Sequence, residues 1–350
     1  MKHNAFAIIF SLVVVFSSCG QGRTDEYVSF SGYAQGGVYN IKLNLKGVDV
    51  PLEDIEEKVE EILSDIDNSL SGYNRNSLVS RFNRGEKIAP DSLFFDMYRH
   101  AYSFYTLTEG VVDAAAAPLF DLWGFGFKNS QMPDDATVLK VKADCGMKRL
   151  CDDVRAAVGQ DGLLNPEDIL LESCESLPQL NYNAIAQGYS CDLVAEYLYS
   201  IGVKDMLVDI GEIFCDGKNP SGEPWRLGID RPVDGNNTLG AELQAIFSVP
   251  SGPHGVVTSG NYRKFYIKDG KKYAHTIDPR SGYPVSHNLL SATVVAPDAM
   301  TADAYATYFM AIGLEESKAF LASSADMDAC LVYDEGGEFK VWTTEGFVIE

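Results

Sequence analysis

The chain has 350 residues, 46% of them hydrophobic and 22% charged, an ordinary globular composition with length for one large core or two smaller ones. Its formal net charge is -22, and no run of basic residues occurs beyond the N-terminus. Nucleic-acid phosphates must be met by clustered Lys and Arg, so nucleic acid is set aside as a partner and the acidity reads as a solubility feature.

At the start, Lys2 and His3 precede an apolar run over residues 5–16, followed by Ser17, Ser18 and Cys19. The run is too short to span a bilayer and reads as the core of a signal peptide over residues 1–18. A cysteine directly after small residues resembles a bacterial lipobox, in which Cys19 is lipidated and becomes the first mature residue. Phe16 departs from the Leu, Val or Ile usual three residues before that cysteine. A plainly cleaved secretory signal is the alternative. Residues 19–26 then form a tether, and either reading places the chain outside the cytoplasm. The lipobox reading makes it a membrane-anchored lipoprotein facing the periplasm or cell exterior. Six further cysteines make no CxxC pair, and no histidines are spaced to complete a zinc site. Disulfide pairing, with Cys145 and Cys151 closest in sequence, and burial as small apolar side chains both remain open.

From Tyr27 to Leu45 apolar and polar residues alternate around Gly36 and Gly37, which predicts two strands or one bent strand. Pro51 opens an amphipathic helix, because Leu52, Ile55, Val59, Ile62, Leu63 and Ile66 recur at helical spacing among glutamates. A second helix is expected over residues 93–106, stopped at Gly110. The stretch DLWGFGFK at 121–128 is aromatic and glycine-rich and reads as a loop, and 134–158 reads as a further helical region. In the second half, helices are expected over 185–202 and 299–312. Strands are expected over 205–210, 225–229, 245–249, 255–258, 264–267 and 289–296. The order lacks regular βαβ alternation, so the fold class is α+β rather than a doubly wound sheet. No internal repeat or low-complexity block stands out.

Three stretches concentrate turn residues and polar groups: LSGYNRNS at 70–77, GVVTSGNYRKFY at 255–266 and AHTIDPRSGYPV at 274–285. Thr258, Ser259 and Gly260 are expected between two strands, where backbone N–H groups can cradle an anion or form an ordinary hairpin turn. In MTADAYAT, Asp303 and Thr307 stand four residues apart on one helix face. A carboxylate and a hydroxyl projecting together suit a hard cation such as magnesium. Equally, Asp near a helix start offsets the dipole, and Thr can bond back to a carbonyl. His275 has the same two readings, a hydrogen-bonded loop residue or a general base. No GxSxG, HExxH or P-loop motif supports another mechanism. Spacing alone therefore reaches an exported α+β protein and leaves an oxygen-ligand metal site open.

Several segments together resemble one family, the FAD:protein FMN transferases or ApbE family, from about Tyr33 to the end. HTIDPRSGYPV, at 275–285, resembles the family's H-x-I-D-P-x-T/S-G-x-P-V signature. GVVTSGNYRKFY is similar to its TSG-x-YR-x-Y segment, and VVAPDAMTADAYAT to its APT-A-x-x-AD-A-x-x-T helix. Upstream, LSGYNRNSLVSRFN, TEGVVDAAAAPLFDLWGFG and NAIAQGYSCD also fit, in the family's order. The resemblance implies mixed sheet and helices with an FAD site in a cleft between two lobes, residues 27–350 forming the transferase domain.

It also implies a reaction: magnesium-dependent transfer of FMN from FAD to a threonine or serine of a target protein, with release of AMP. The acceptors it implies are membrane redox subunits of the sodium-pumping quinone reductase or Rnf type. By resemblance, Asp303, Thr307 and the backbone carbonyl of Ala184 would hold magnesium. A metal with few protein ligands leaves positions for the FAD diphosphate. Gln35, Tyr73, Val111, Val112, Asp113, Asn181, Gln187 and Ile277 fall at flavin-contact positions, and His275 is the candidate base for the acceptor hydroxyl. Asp278 and Arg280 would fix that loop by a local ion pair. Four positions depart from the pattern. Asn181 stands for the usual Asp, Gln187 for Lys or Glu, and Gly37 for the Thr of a GT pair, while LVDIGEIFCDG at 207–217 has one glycine where the family has two. Two alternative activities are a magnesium-dependent FAD hydrolase yielding FMN and AMP, and a non-catalytic FAD-binding lipoprotein.

Overall fold

The computed structural model describes residues 26–125, 133–150, 179–233, 242–261, 265–268, 271–274 and 276–350. The signal segment, Cys19, Cys151, Cys174 and His275 lie outside the described residues. The expected hairpin forms from β1 (Tyr27–Ala34) and β2 (Gly37–Asn44). Its two-residue loop, Gln35 and Gly36, takes φ 52° and 82°, the left-handed pair that matches the twist of a tight hairpin. Then come α1 (Leu52–Leu70), α2 (Leu78–Asn83), α3 (Ser92–Leu107), α4 (Ala117–Leu122) and α5 (Asp135–Ala143). α1 buries Ile55, Val59, Leu63 and Ile66, the stripe its period predicts.

The second half opens with α6 (Ala186–Ser200), β3 (Met206–Asp209), β4 (Ile213–Asp216), β5 (Arg226–Asp230) and β6 (Leu243–Ser248). β7 (His254–Gly260), β8 (Phe265–Lys268), β9 (Lys271–Ala274), β10 (Ile277–Asp278), β11 (Tyr283–Pro284) and β12 (Leu289–Ala296) follow. α7 (Ala299–Ile312), α8 (Leu314–Leu321), β13 (Asp328–Glu335) and β14 (Glu338–Thr343) complete the chain. Among the described residues, an antiparallel 8-stranded sheet runs in the order β1-β2-β3-β4-β7-β12-β13-β14. This mixture, with crossovers that are not βαβ units, is the α+β class expected.

Both faces of the central strands are covered, which is why β12 is nearly continuous apolar sequence. Ala292, Val294 and Ala296 turn to one cluster with Met300, Ala304 and Phe309 of α7. Val295 turns the other way, to Trp225, Phe247 and Phe347. Nearer β1, α1 and α6 bury Val59 and Leu198 against Ile41 and Val208. Cys145, Cys191, Cys215 and Cys330 are free thiols, and the last three are buried as small apolar side chains. No helix among the described residues is long and apolar enough to cross a membrane.

The structure corrects three expectations. Asp121 and Leu122 belong to α4 rather than a loop, because Leu119 and Trp123 bury against Ile277 and draw the segment into a helix. The helix expected over 134–158 stops at Ala143, where Gly146, at φ 108°, redirects the chain into a short 3-10 turn burying Met147. Thr258, Ser259 and Gly260 are not a turn. They end β7, paired with Thr293, Ala292 and Ser291 of β12, because a long ladder overrides a local turn signal.

Candidate functional site

The stretch from Asn181 to Ser190, which leads into and starts α6, is where the singled-out segments converge. Asn181 N–H donates to the Ala114 carbonyl at 2.7 Å, and its Oδ1 accepts the Asn183 N–H at 2.9 Å, closing an Asx turn. Asn183 Nδ2 donates to the Tyr73 hydroxyl at 3.1 Å, holding a ring that is 69% exposed. Gln187 Nε2 donates to the Ile210 carbonyl at 3.1 Å, and Gly188 N–H donates to Asp303 Oδ2 at 3.2 Å. Ser190 Oγ accepts from Gln35 Nε2, which reaches down from the strained hairpin loop. Segments far apart in sequence thus meet the first turn of one helix.

Two glycines make that convergence possible. A Cβ on Gly188 would lie 2.3 Å from the Ala299 carbonyl oxygen, so only glycine lets α6 approach α7 this closely. A Cβ on Gly211 would lie 2.4 Å from Gln187 Nε2. Gly211, at φ 93°, also turns β3 into β4, so the one glycine here serves both the turn and the Gln187 contact.

Asp303 is buried, and among the described residues no Lys, Arg or His pairs with it. Burial, with Asp192 nearby, pushes its carboxyl well above the usual carboxylate range, against the Gly188 hydrogen bond. Asp192, on α6, is raised by burial in the same way; its two oxygens accept Ala299 N–H and Met300 N–H, each at 2.8 Å. Thr307 lies one turn beyond Asp303 on α7 and is partly exposed, while Ala184 lies in the turn that enters α6. The donor chemistry fits a hard cation: a buried carboxylate lacking a cationic partner, a hydroxyl and a peptide carbonyl. Among the described residues no cluster of three or more His, Cys, Asp or Glu side chains could hold a metal.

On the other side of Asn181, Asp113 caps the 3-10 turn Ala114–Ala116, accepting Ala115 N–H at 2.9 Å and Met147 N–H at 3.2 Å. Desolvation outweighs those bonds and pushes its pKa up to about 6. Val111 and Val112 are only 3% and 5% exposed, so their side chains serve the core and leave the backbone for any ligand. Ile277 is likewise buried, against Ala116, Leu119 and Trp123. Trp123 Nε1 donates to the Gly282 carbonyl at 2.8 Å, tying the loop after His275 to α4. The expected ion pair within that loop is present, Arg280 Nε to Asp278 Oδ1 at 3.1 Å.

Gly188, Ser190 and Asp192, all within NAIAQGYSCD, are functional positions that sequence pattern alone does not single out. Their one signal is the i, i+4 spacing of Gly188 and Asp192, which puts a small residue and a carboxylate on one helix face.

The family model of the ApbE family matches residues 36–331. The chain belongs to the ApbE family. A relative from Escherichia coli (strain K12), named FAD:protein FMN transferase, is 30% identical over 313 residues, covering 87% of this chain and 84% of its own. One of the same name from Haemophilus influenzae is 31% identical over 319 residues, covering 88% and 87%. Among solved structures, the flavin transferase ApbE from Vibrio cholerae superposes with a TM-score of 0.75 at 29% identity, over 92% of this chain and 98% of that one. The Pseudomonas stutzeri flavinyl transferase ApbE, in its apo form, gives 0.76 at 31% identity, over 92% and 95%. The family and α+β fold expected from the sequence are thereby borne out.

Proposed function

We propose that residues 27–350 transfer FMN from FAD to a threonine or serine hydroxyl of a target protein, releasing AMP, with magnesium as the required metal. The observation that carries this reading is the bond from Gly188, in the first turn of α6, to the buried Asp303 of α7. The relatives named FAD:protein FMN transferase support the same reading. Asp303, Thr307 and the Ala184 carbonyl would hold the ion. When bound, magnesium supplies neutralisation of diphosphate charge during phosphoryl transfer.

In the step itself, the acceptor oxygen bonds to the phosphorus on the FMN side of the diphosphate. The P–O bond to the AMP half breaks, and AMP departs with that electron pair. The hydroxyl proton passes to His275, assigned from its place in HTIDPRSGYPV. Tyr73 offers an exposed ring for stacking on the flavin side. Gln35, Asp113, Asn181 and Gln187 offer polar groups, and Val111, Val112 and Ile277 their backbone. Asn181 differs from the usual Asp yet keeps the acceptor oxygen that closes its turn. A signal peptide over residues 1–18, lipidation at Cys19 and a tether over 19–26 would hold the domain at the membrane outside the cytoplasm. That location suits membrane redox subunits as acceptors.

The test incubates the chain with FAD, magnesium and an acceptor domain carrying a flavinylation threonine. Flavin fluorescence is then read in the gel, with AMP and free FMN read in solution. A fluorescent acceptor band that disappears with EDTA is the expected result. AMP and free FMN beside a dark band would assign a hydrolase instead, and intact FAD with neither product a binding lipoprotein. Cys19→Ala is expected to release the chain from the membrane fraction.

A further inference from the structure

We infer that Asp192 is a positioning residue for metal binding: it locks the register of the two helices that carry the ligands. This rests on the ligand assignment above. That donor set is divided, with the Ala184 carbonyl ahead of α6 and Asp303 and Thr307 on α7. The ion would therefore bridge two separate elements, and its coordination distances depend on how α6 and α7 slide against each other.

Two clasps oppose such sliding. In one, a carboxylate of α7 accepts an N–H from the first turn of α6, Gly188 to Asp303 at 3.2 Å. In the other, a carboxylate of α6 accepts the first two N–H groups of α7, Ala299 and Met300 to Asp192, each at 2.8 Å. Each helix thus satisfies N–H groups that have no partner within the other. Gly188 and Asp192 are one turn apart, so both clasps act across the same close contact. The glycine at Gly188 supplies the approach, and a second one, Gly255 on β7, seats Ala299 from the sheet side, where a Cβ would lie 2.3 Å from its backbone nitrogen.

The same helix carries its own control. Asp298 also caps α7, accepting Thr301 N–H at 2.7 Å and the Thr301 hydroxyl at 2.9 Å, but it belongs to the helix it caps and bridges nothing. Losing Asp298 frays α7 locally, whereas losing Asp192 frees α7 to move against Ala184. Asparagine at 192 retains one acceptor but turns an amide donor towards the second N–H, so it breaks half the clasp without emptying the position.

The experiment titrates Mn2+ into the full chain, purified in detergent with FAD present, and reads bound metal by EPR alongside thermal unfolding in EDTA. Asp192→Asn is expected to weaken Mn2+ binding at least tenfold and to raise the magnesium needed for half-maximal AMP release by a similar factor. The rate at saturating magnesium should stay within about threefold. Asp298→Ala is expected to lower the unfolding temperature and leave Mn2+ affinity unchanged. Should Asp192→Asn fail to fold, Asp192→Glu, which keeps both oxygens but displaces them, carries the same expectation. Folded variants at 192 with Mn2+ affinity within twofold of the unmodified chain would overturn the proposal. So would an equal loss of affinity in Asp298→Ala. If Asp303→Ala also binds Mn2+ unchanged, or the unmodified chain binds none, the ligand assignment itself fails and the proposal goes with it.

Discussion

Replacing Asp113 by asparagine isolates the electrostatic cost of a carboxylate set against the core. In the native chain that carboxyl titrates near 6 rather than 3.8, because desolvation outweighs the N–H groups of Ala115 and Met147. Between those two values the folded chain binds more protons than the unfolded chain, so stability falls as pH rises. The favourable contribution of the protonated group is fully present below the unfolded value and is lost as pH rises through about 6. A shift of about two pK units, at about 1.4 kcal/mol each, sets an upper value of roughly 3 kcal/mol. Asparagine retains the accepting Oδ1 and never ionises, so Asp113→Asn should be more stable than the native chain by about 1–3 kcal/mol at pH 7.5 and nearly equal to it at pH 4. Urea unfolding of both chains across that range checks this, and taking the difference cancels the other raised carboxylates. A difference that does not change with pH would refute the reasoning. Under the proposed function the same substitution should weaken FAD binding, because the ionised group is retained at a stability cost for the ligand.

Two further substitutions test packing. Gly188→Ala would place a Cβ 2.3 Å from the Ala299 carbonyl oxygen and 2.7 Å from Met300 Cα, both backbone atoms that cannot swing aside. It should cost about 1–3 kcal/mol in urea unfolding, and a change below about 0.5 kcal/mol would contradict the close helix contact. Phe309, fully buried on α7 against the sheet, should cost about 3–5 kcal/mol when replaced by alanine, measured in the same way. A markedly smaller loss would mean that the α7–sheet interface collapses around the gap.

Elements with strong local periodicity were legible without coordinates. The α1 stripe, the hairpin around Gly36 and the helix 299–312 emerge as expected because neighbours a few residues apart decide them. Asp303 and Thr307 share a helix face for the same reason. β13 and β14 were not anticipated, since Asp334, Glu335 and two glycines dilute a run whose strand character comes from pairing with β12. Thr258 to Gly260 look like a turn locally, yet the β12 ladder makes them strand. The resemblance implies flavin contacts for Val111, Val112 and Ile277, but only the folded chain reveals that their side chains are buried in the core.

The order and period of local segments, then, already specified the α+β class, and collinear motifs the family by resemblance. Tertiary structure alone decided that a turn before α6, a residue on α7, a strained hairpin loop and the β3–β4 turn share one helix start. Periodicity reports which face of an element is apolar, but not which other element that face meets. Here the meeting depends on Gly188 and Gly255, small enough for their backbones to touch that of Ala299, and on two carboxylates that each find their partners in the other helix.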